Sequence, residues 1–109
     1  MSDNGRTEQR KCPRIKVNLP VELHVPGNDV PLRCSIADLS ESGCYIESIF
    51  PFSIGTVFEM NFEINGTVLA LGTVVTCDPQ VGNGIKFTKM LPEDQEELRN
   101  YVKAAQQAG

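Results

Sequence analysis

The sequence has no tryptophan and one histidine, His24. It has no apolar run near the ~18 residues that a membrane helix needs. Its first residues are polar, without the apolar stretch of a signal peptide, so membrane insertion is not expected and the expected location is the cytoplasm. The four cysteines, Cys12, Cys34, Cys44 and Cys77, form no C-x-x-C pair. One histidine cannot complete a zinc site with them, so no metal is expected and the cysteines read as small buried hydrophobes. Also missing are the phosphate loop G-x-x-x-x-G-K-[ST], a G-x-G-x-x-G after a strand, and H-E-x-x-H. A hydrolase needs a nucleophile, a base and a group that orients the base. His24 falls on the polar face of a strand, and Glu59 and Glu63 do the same, which is the pattern of solvation. The expectation is a protein that is not an enzyme and carries no cofactor.

The chain has 109 residues, 40% of them hydrophobic and 22% charged. One domain is expected, burying roughly 65% of its unfolded surface. The formal charge is −4, but it is unevenly spread. Residues 1–16 hold five basic side chains (Arg6, Arg10, Lys11, Arg14, Lys16) against two acidic ones, a local +3. The other 93 residues hold five basic against twelve acidic, a local −7. A basic arm on an acidic body predicts a local anion site and argues against binding a nucleic-acid polymer.

Residues 1–14 show no periodicity and read as a flexible arm ahead of a domain over 15–107. From there apolar and polar residues alternate, the period of a strand with one buried face. Val17, Leu19, Val21, Leu23 and Val25 set the first strand. Pro20 marks it as edge-like or irregular at that point. Pro26 to Asp29 reads as a turn. Leu32, Cys34 and Ile36 face one way on the second strand and Arg33 and Ser35 the other, and the strand ends at the polar turn Asp38 to Gly43. Cys44 to Ile49 is the third strand, and Phe58, Met60, Phe62 and Ile64 mark the fourth. Asn65-Gly66 predicts a type I′ hairpin, which needs positive φ at both positions. The fifth strand then runs from Thr67 to about Cys77, Asp78 to Asn83 is a turn, and Gly84 to Thr88 is the sixth strand. Pro92 suits a first helical position, and Leu98, Tyr101, Val102 and Ala105 form one apolar stripe. The expected fold is mostly β: a small six-stranded antiparallel β-barrel with a C-terminal α-helix packed on it.

Two clusters carry the recognition chemistry. Arg10 and Arg14 stand at R-x-x-x-R spacing on a segment that Pro13 keeps out of helix. Guanidinium binds phosphate and the guanine O6/N7 edge in two-pronged fashion, and it stacks on flat rings. Asp38-x-Ser40-x-x-Gly43 joins two strands: Asp38 can accept from a base edge, Ser40 can donate to an oxygen, and Gly43 lets backbone or ligand come close. Each cluster also has an ordinary reading. The arginines can be a solvated tail, and Asp38 and Ser40 can stabilise a turn in which Gly43 takes positive φ.

Taken in order, R-x-x-x-R, a strand, a second strand, D-x-S-x-x-G, and a compact β domain with a closing helix resemble the PilZ domain family, from about Arg10 to Val102. The run Pro13 to Val21 is similar to the start of the family's first strand, and Gly84-Ile85-Lys86-Phe87 to its last barrel strand. The resemblance implies a split-barrel fold and the bacterial second messenger cyclic di-GMP as ligand. It places Arg10 and Arg14 on phosphate and guanine, Asp38 as acceptor of guanine N–H groups, Ser40 on a base or phosphate oxygen, and Gly43 where the ligand approaches. Arg6 and Lys11 would be accessory contacts. Arg6 and Arg10 also form an R-x-x-x-R, but Arg14 directly precedes the first strand, as in the family. The implied role is a receptor and adaptor whose arm folds over the ligand and alters the surface met by a separate effector protein. The alternative is a PilZ-like interaction module with weak or no nucleotide binding. A barrel for single-stranded nucleic acid would need aromatic residues on a basic face, and the acidic body speaks against it.

Overall fold

A computed structural model describes residues 13–108. Arg6, Arg10, Lys11 and Cys12, and with them the expected arm apart from its last two residues, lie outside the described residues. Six strands follow one another: β1 (Ile15–His24), β2 (Leu32–Leu39), β3 (Gly43–Glu47), β4 (Val57–Glu63), β5 (Thr67–Asp78) and β6 (Gly82–Met90). They close into an antiparallel barrel in the order β1-β2-β3-β6-β5-β4. The helix α1 (Pro92–Ala108) follows.

Alternation is what makes these strands. Phe58, Met60 and Phe62 on β4, and Val68, Ala70 and Val74 on β5, point inward and are buried, while Glu59 and Glu63 stay outside. Leu98 and Val102 of α1 join the same core, with Tyr101 and Ala105 packed beside them, as the apolar stripe predicts. Pro92 is the first helical residue, and Glu93 and Asp94 occupy the first turn, where the helix dipole favours negative charge. Pro20 sits where β1 pairs with β2 alone, because pairing with β4 begins only at Val21. Its missing N–H is tolerated there.

Two local expectations are corrected. The Asn65-Gly66 hairpin forms, but not as a type I′ turn, since neither residue has positive φ. Glu63 pairs with Thr67, so the connection is three residues long, with the Ile64 N–H donating to the Gly66 carbonyl at 3.0 Å. Ile64 packs against the core, and α1 lies close by, Glu97 Oε1 being 3.5 Å from where a Gly66 side chain would begin. The second correction concerns β2, which runs through Asp38 to Leu39 where a turn was expected from Asp38. Ile36 is fully buried, but Leu32 is 37% exposed and Cys34 only half-buried. The register shifts between Ile36 and Asp38, so the next inward residue is Leu39. The turn at Pro26-Gly27 forms as expected: the Asn28 N–H donates to the Val25 carbonyl and Gly27 has φ 84°.

Candidate ligand site

The register shift in β2 decides where Asp38 points. Strict alternation from Ile36 would turn residue 38 into the core. The extra residue, Ala37, re-aims the strand, and Asp38 emerges on the outer face opposite Lys16 of β1 and Tyr45 of β3. Arg14 directly precedes β1 and lies beside this position. Its Nη1 donates to Asp38 Oδ1 at 2.6 Å, with the two side chains 54% and 29% exposed. Two motifs 24 residues apart thus meet at one end of the β1–β2 pair.

Ser40 and Gly43 are placed differently. Ser40 is buried, and its hydroxyl accepts from the backbone N–H groups of Ser42 and Gly43 and donates to the Gly43 carbonyl, each at 3.2 Å. The Ser40 N–H also donates to the Gly43 carbonyl, at 2.8 Å. The hydroxyl therefore holds the turn. Gly43 has no positive φ, contrary to the turn-based reading of this glycine. It is needed because β6 passes close by: a Cβ there would lie 2.1 Å from the Ile85 carbonyl oxygen. Cys44, next in sequence, is buried beneath the site. Burial pushes its thiol pKa well above the ordinary range; the Asp38 charge adds to this and Arg14 opposes it. Cys44 fits the expectation of a small buried hydrophobe, whereas Cys34 and Cys77 are half-buried.

Sequence reasoning gave no role to Tyr45 or Asn83. Tyr45 stands opposite both Asp38 and Gly84, and its hydroxyl donates to Asp78 Oδ2 at 2.6 Å. That bond to a carboxylate raises its pKa to about 12. Asn83 was expected in a turn but is fully buried in β6. It accepts from the Phe52 N–H at 2.8 Å and donates to the carbonyls of Phe52 and Thr76 at 2.9 and 3.1 Å. It thereby anchors the loop between β3 and β4. On the far side, α1 meets the motif turn through Arg99, whose Nε is 3.5 Å from Glu41 Oε1.

His24 is exposed and sits 3.4 Å from Glu22 Oε1, at the opposite end of β1 from Arg14. A groove of about 450 Å³ near it, lined by Met60, Leu69, Met90 and Leu91 among others, is mainly apolar and includes none of the motif residues. No cluster of His, Cys, Asp or Glu that could hold a metal occurs among the described residues. No described helix is long and apolar enough to cross a membrane.

The PilZ domain profile matches residues 8–104. The chain belongs to the PilZ domain family. Solved structures, PilZ domains among them, share the barrel. The PilZ domain of Escherichia coli YcgR with c-di-GMP superposes with a TM-score of 0.71 at 14% identity, covering 92% of this chain and 93% of that one. The Bacillus subtilis inhibitor of motility MotI/DgrA gives a TM-score of 0.78 at 15% identity over 92% of this chain. Borreliella burgdorferi PlzA in complex with c-di-GMP gives 0.65 at 19% identity over 89%. This PilZ chain spans about half the length of the last two, 52% and 45%. No curated protein matches the sequence.

Proposed function

We propose that this PilZ domain is a receptor for cyclic di-GMP, with Arg14 and Asp38 as its direct contacts among the described residues. The observation that carries the reading is the Arg14–Asp38 pair. It sets a phosphate-binding guanidinium beside a carboxylate able to accept guanine N–H groups, on an open face of the barrel. The YcgR and PlzA structures, both with c-di-GMP, support the ligand assignment. Ser40 and Gly43 contribute by holding the turn that presents Asp38. Arg10 supplies a second guanidinium from the arm, and Arg6 and Lys11 add positive charge. On binding, the arm over residues 1–14 closes on the ligand and changes the surface offered to a separate effector protein in the cytoplasm. The likeness to MotI, an inhibitor of motility, supports such an adaptor role.

Calorimetric titration with cyclic di-GMP tests the receptor. The wild type binds, and Arg14→Ala and Asp38→Ala each lose about 2 kcal/mol of binding free energy. Hydrogen exchange tests the arm: protection of residues 1–14 rises at saturating ligand, and unchanged protection rules the closure out. One observation favours a second reading, an interaction module that does not need the nucleotide. The turn and the β3–β6 contact account for Ser40 and Gly43 with no ligand present. Wild-type protein giving neither heat nor a shift in melting temperature would establish that reading.

A further inference from the structure

The phenol ring of Tyr45 has an unusual setting. On the outer face β6 presents Gly82 and Gly84, so no β6 side chain stands between Tyr45 on β3 and Thr76 on β5. The ring fills this gap: a Cβ on Gly82 would lie 2.9 Å from Tyr45 Cε2. The ring thus lies over the Gly82 backbone, and the bond to Asp78, which pairs with Gly82, fixes its far end. Tyr45 is nevertheless only half-buried. With one side against β6, it keeps the other toward solvent. Asp38 is its direct cross-strand neighbour, and Arg14 lies just beyond. Arginine, carboxylate and clamped aromatic ring therefore run side by side from the residue before β1 across β2 to β3.

We propose that Tyr45 is a stacking platform for a guanine base whose N–H edge is held by Asp38. This deepens the cyclic di-GMP reading and rests on it. A base with its edge on the carboxylate extends sideways over the neighbouring strand, where the ring presents a flat π surface. Base–aromatic stacking is sequence-tolerant in strength, so the ring supplies affinity while Asp38 selects guanine. The clamp to Asp78 removes the ring's rotational freedom before the ligand arrives, which lowers the ordering cost of binding.

The chain has only two tyrosines, so tyrosine-labelled protein in a Tyr101→Phe background reports Tyr45 alone. Titrated with cyclic di-GMP, its ring protons shift upfield in the field of the stacked base. In parallel calorimetry, Tyr45→Phe keeps the ring but loses the Asp78 clamp, and it loses less affinity than a variant without the ring. Tyr45→Leu still covers Gly82 but loses affinity by about 5- to 150-fold, the range that stacking supplies. Circular dichroism of each variant confirms the fold. Unmoved ring protons at saturating ligand, or a Tyr45→Leu variant that binds as well as wild type, overturn the platform while leaving the receptor reading intact. A wild type that does not bind at all overturns both.

Discussion

Arg14 donates to Asp38 at 2.6 Å although neither residue belongs to the other's motif. Each resembles what the other is proposed to bind: the Asp38 carboxylate stands where a phosphate would meet Arg14, and the Arg14 N–H groups stand where guanine N–H groups would meet Asp38. Under the proposed function the pair is an internal stand-in for the ligand. It keeps both side chains extended toward the same point, and in the proposed reading a guanine nucleotide would replace one intramolecular contact with two intermolecular ones.

Such an exposed pair holds the fold only weakly. Arg14→Ala is expected to change unfolding free energy by less than about 1 kcal/mol, in the range of exposed ion pairs. Urea denaturation measures this. A larger loss would mean that Arg14 serves the barrel rather than a ligand. Affinity for cyclic di-GMP, resting on charge, should fall as salt is raised.

Ser40 and Gly43 show the reverse. Ser40→Ala leaves two backbone N–H groups without the hydroxyl they donate to and is expected to cost about 1–3 kcal/mol. Gly43→Ala drives a methyl into the Ile85 carbonyl, a backbone atom that moves only if β6 shifts. About 3 kcal/mol or more is expected. Thermal melts without ligand decide the matter. If either variant melts like wild type, its motif residue was not there for the fold.

Where one face of a strand is buried the sequence was legible, since period-two alternation follows directly from burial. The first, second, fourth and sixth strands came from that alternation and the helical stripe from the helical period, while the fifth strand came from the Asn65-Gly66 turn. The pattern is silent where a register slips. Nothing in Ile36-Ala37-Asp38 announces the extra residue that turns Asp38 outward, because alternation alone would put it inside. For Ser40 the sequence left both a turn role and a ligand role open, and the structure gives its hydroxyl to the turn. Asn83 was hidden by composition: among Pro79, Gly82 and Gly84 an asparagine reads as turn, and only the loop folded over β6 makes it a buried anchor.

That anchor should be costly to lose. In Asn83→Ala both backbone groups of Phe52 lose their partner, and a cavity opens next to the core. A loss of about 3 kcal/mol is expected. Hydrogen exchange of residues 48–56 should accelerate more than that of β1. Uniform acceleration across the barrel would show that Asn83 supports the whole fold rather than this loop.

Tyr45 gives the fold a dependence on alkaline pH with a definite sign. Its bond to the Asp78 carboxylate raises the pKa to about 12, against about 10 for a tyrosine in an unfolded chain. Below pH 10 the phenol is protonated in both states and the contribution to stability is fully present. Between about 10 and 12 the unfolded chain releases the proton while the folded one keeps it, so stability falls as pH rises. Above 12 the contribution is gone. In a Tyr101→Phe background, absorbance near 295 nm follows Tyr45 alone. Asp78→Asn removes the negative acceptor and should bring the titration back toward 10, narrowing the window over which stability declines. An unchanged midpoint in that variant would mean that Asp78 is not what holds the proton, nor what holds the ring over β6.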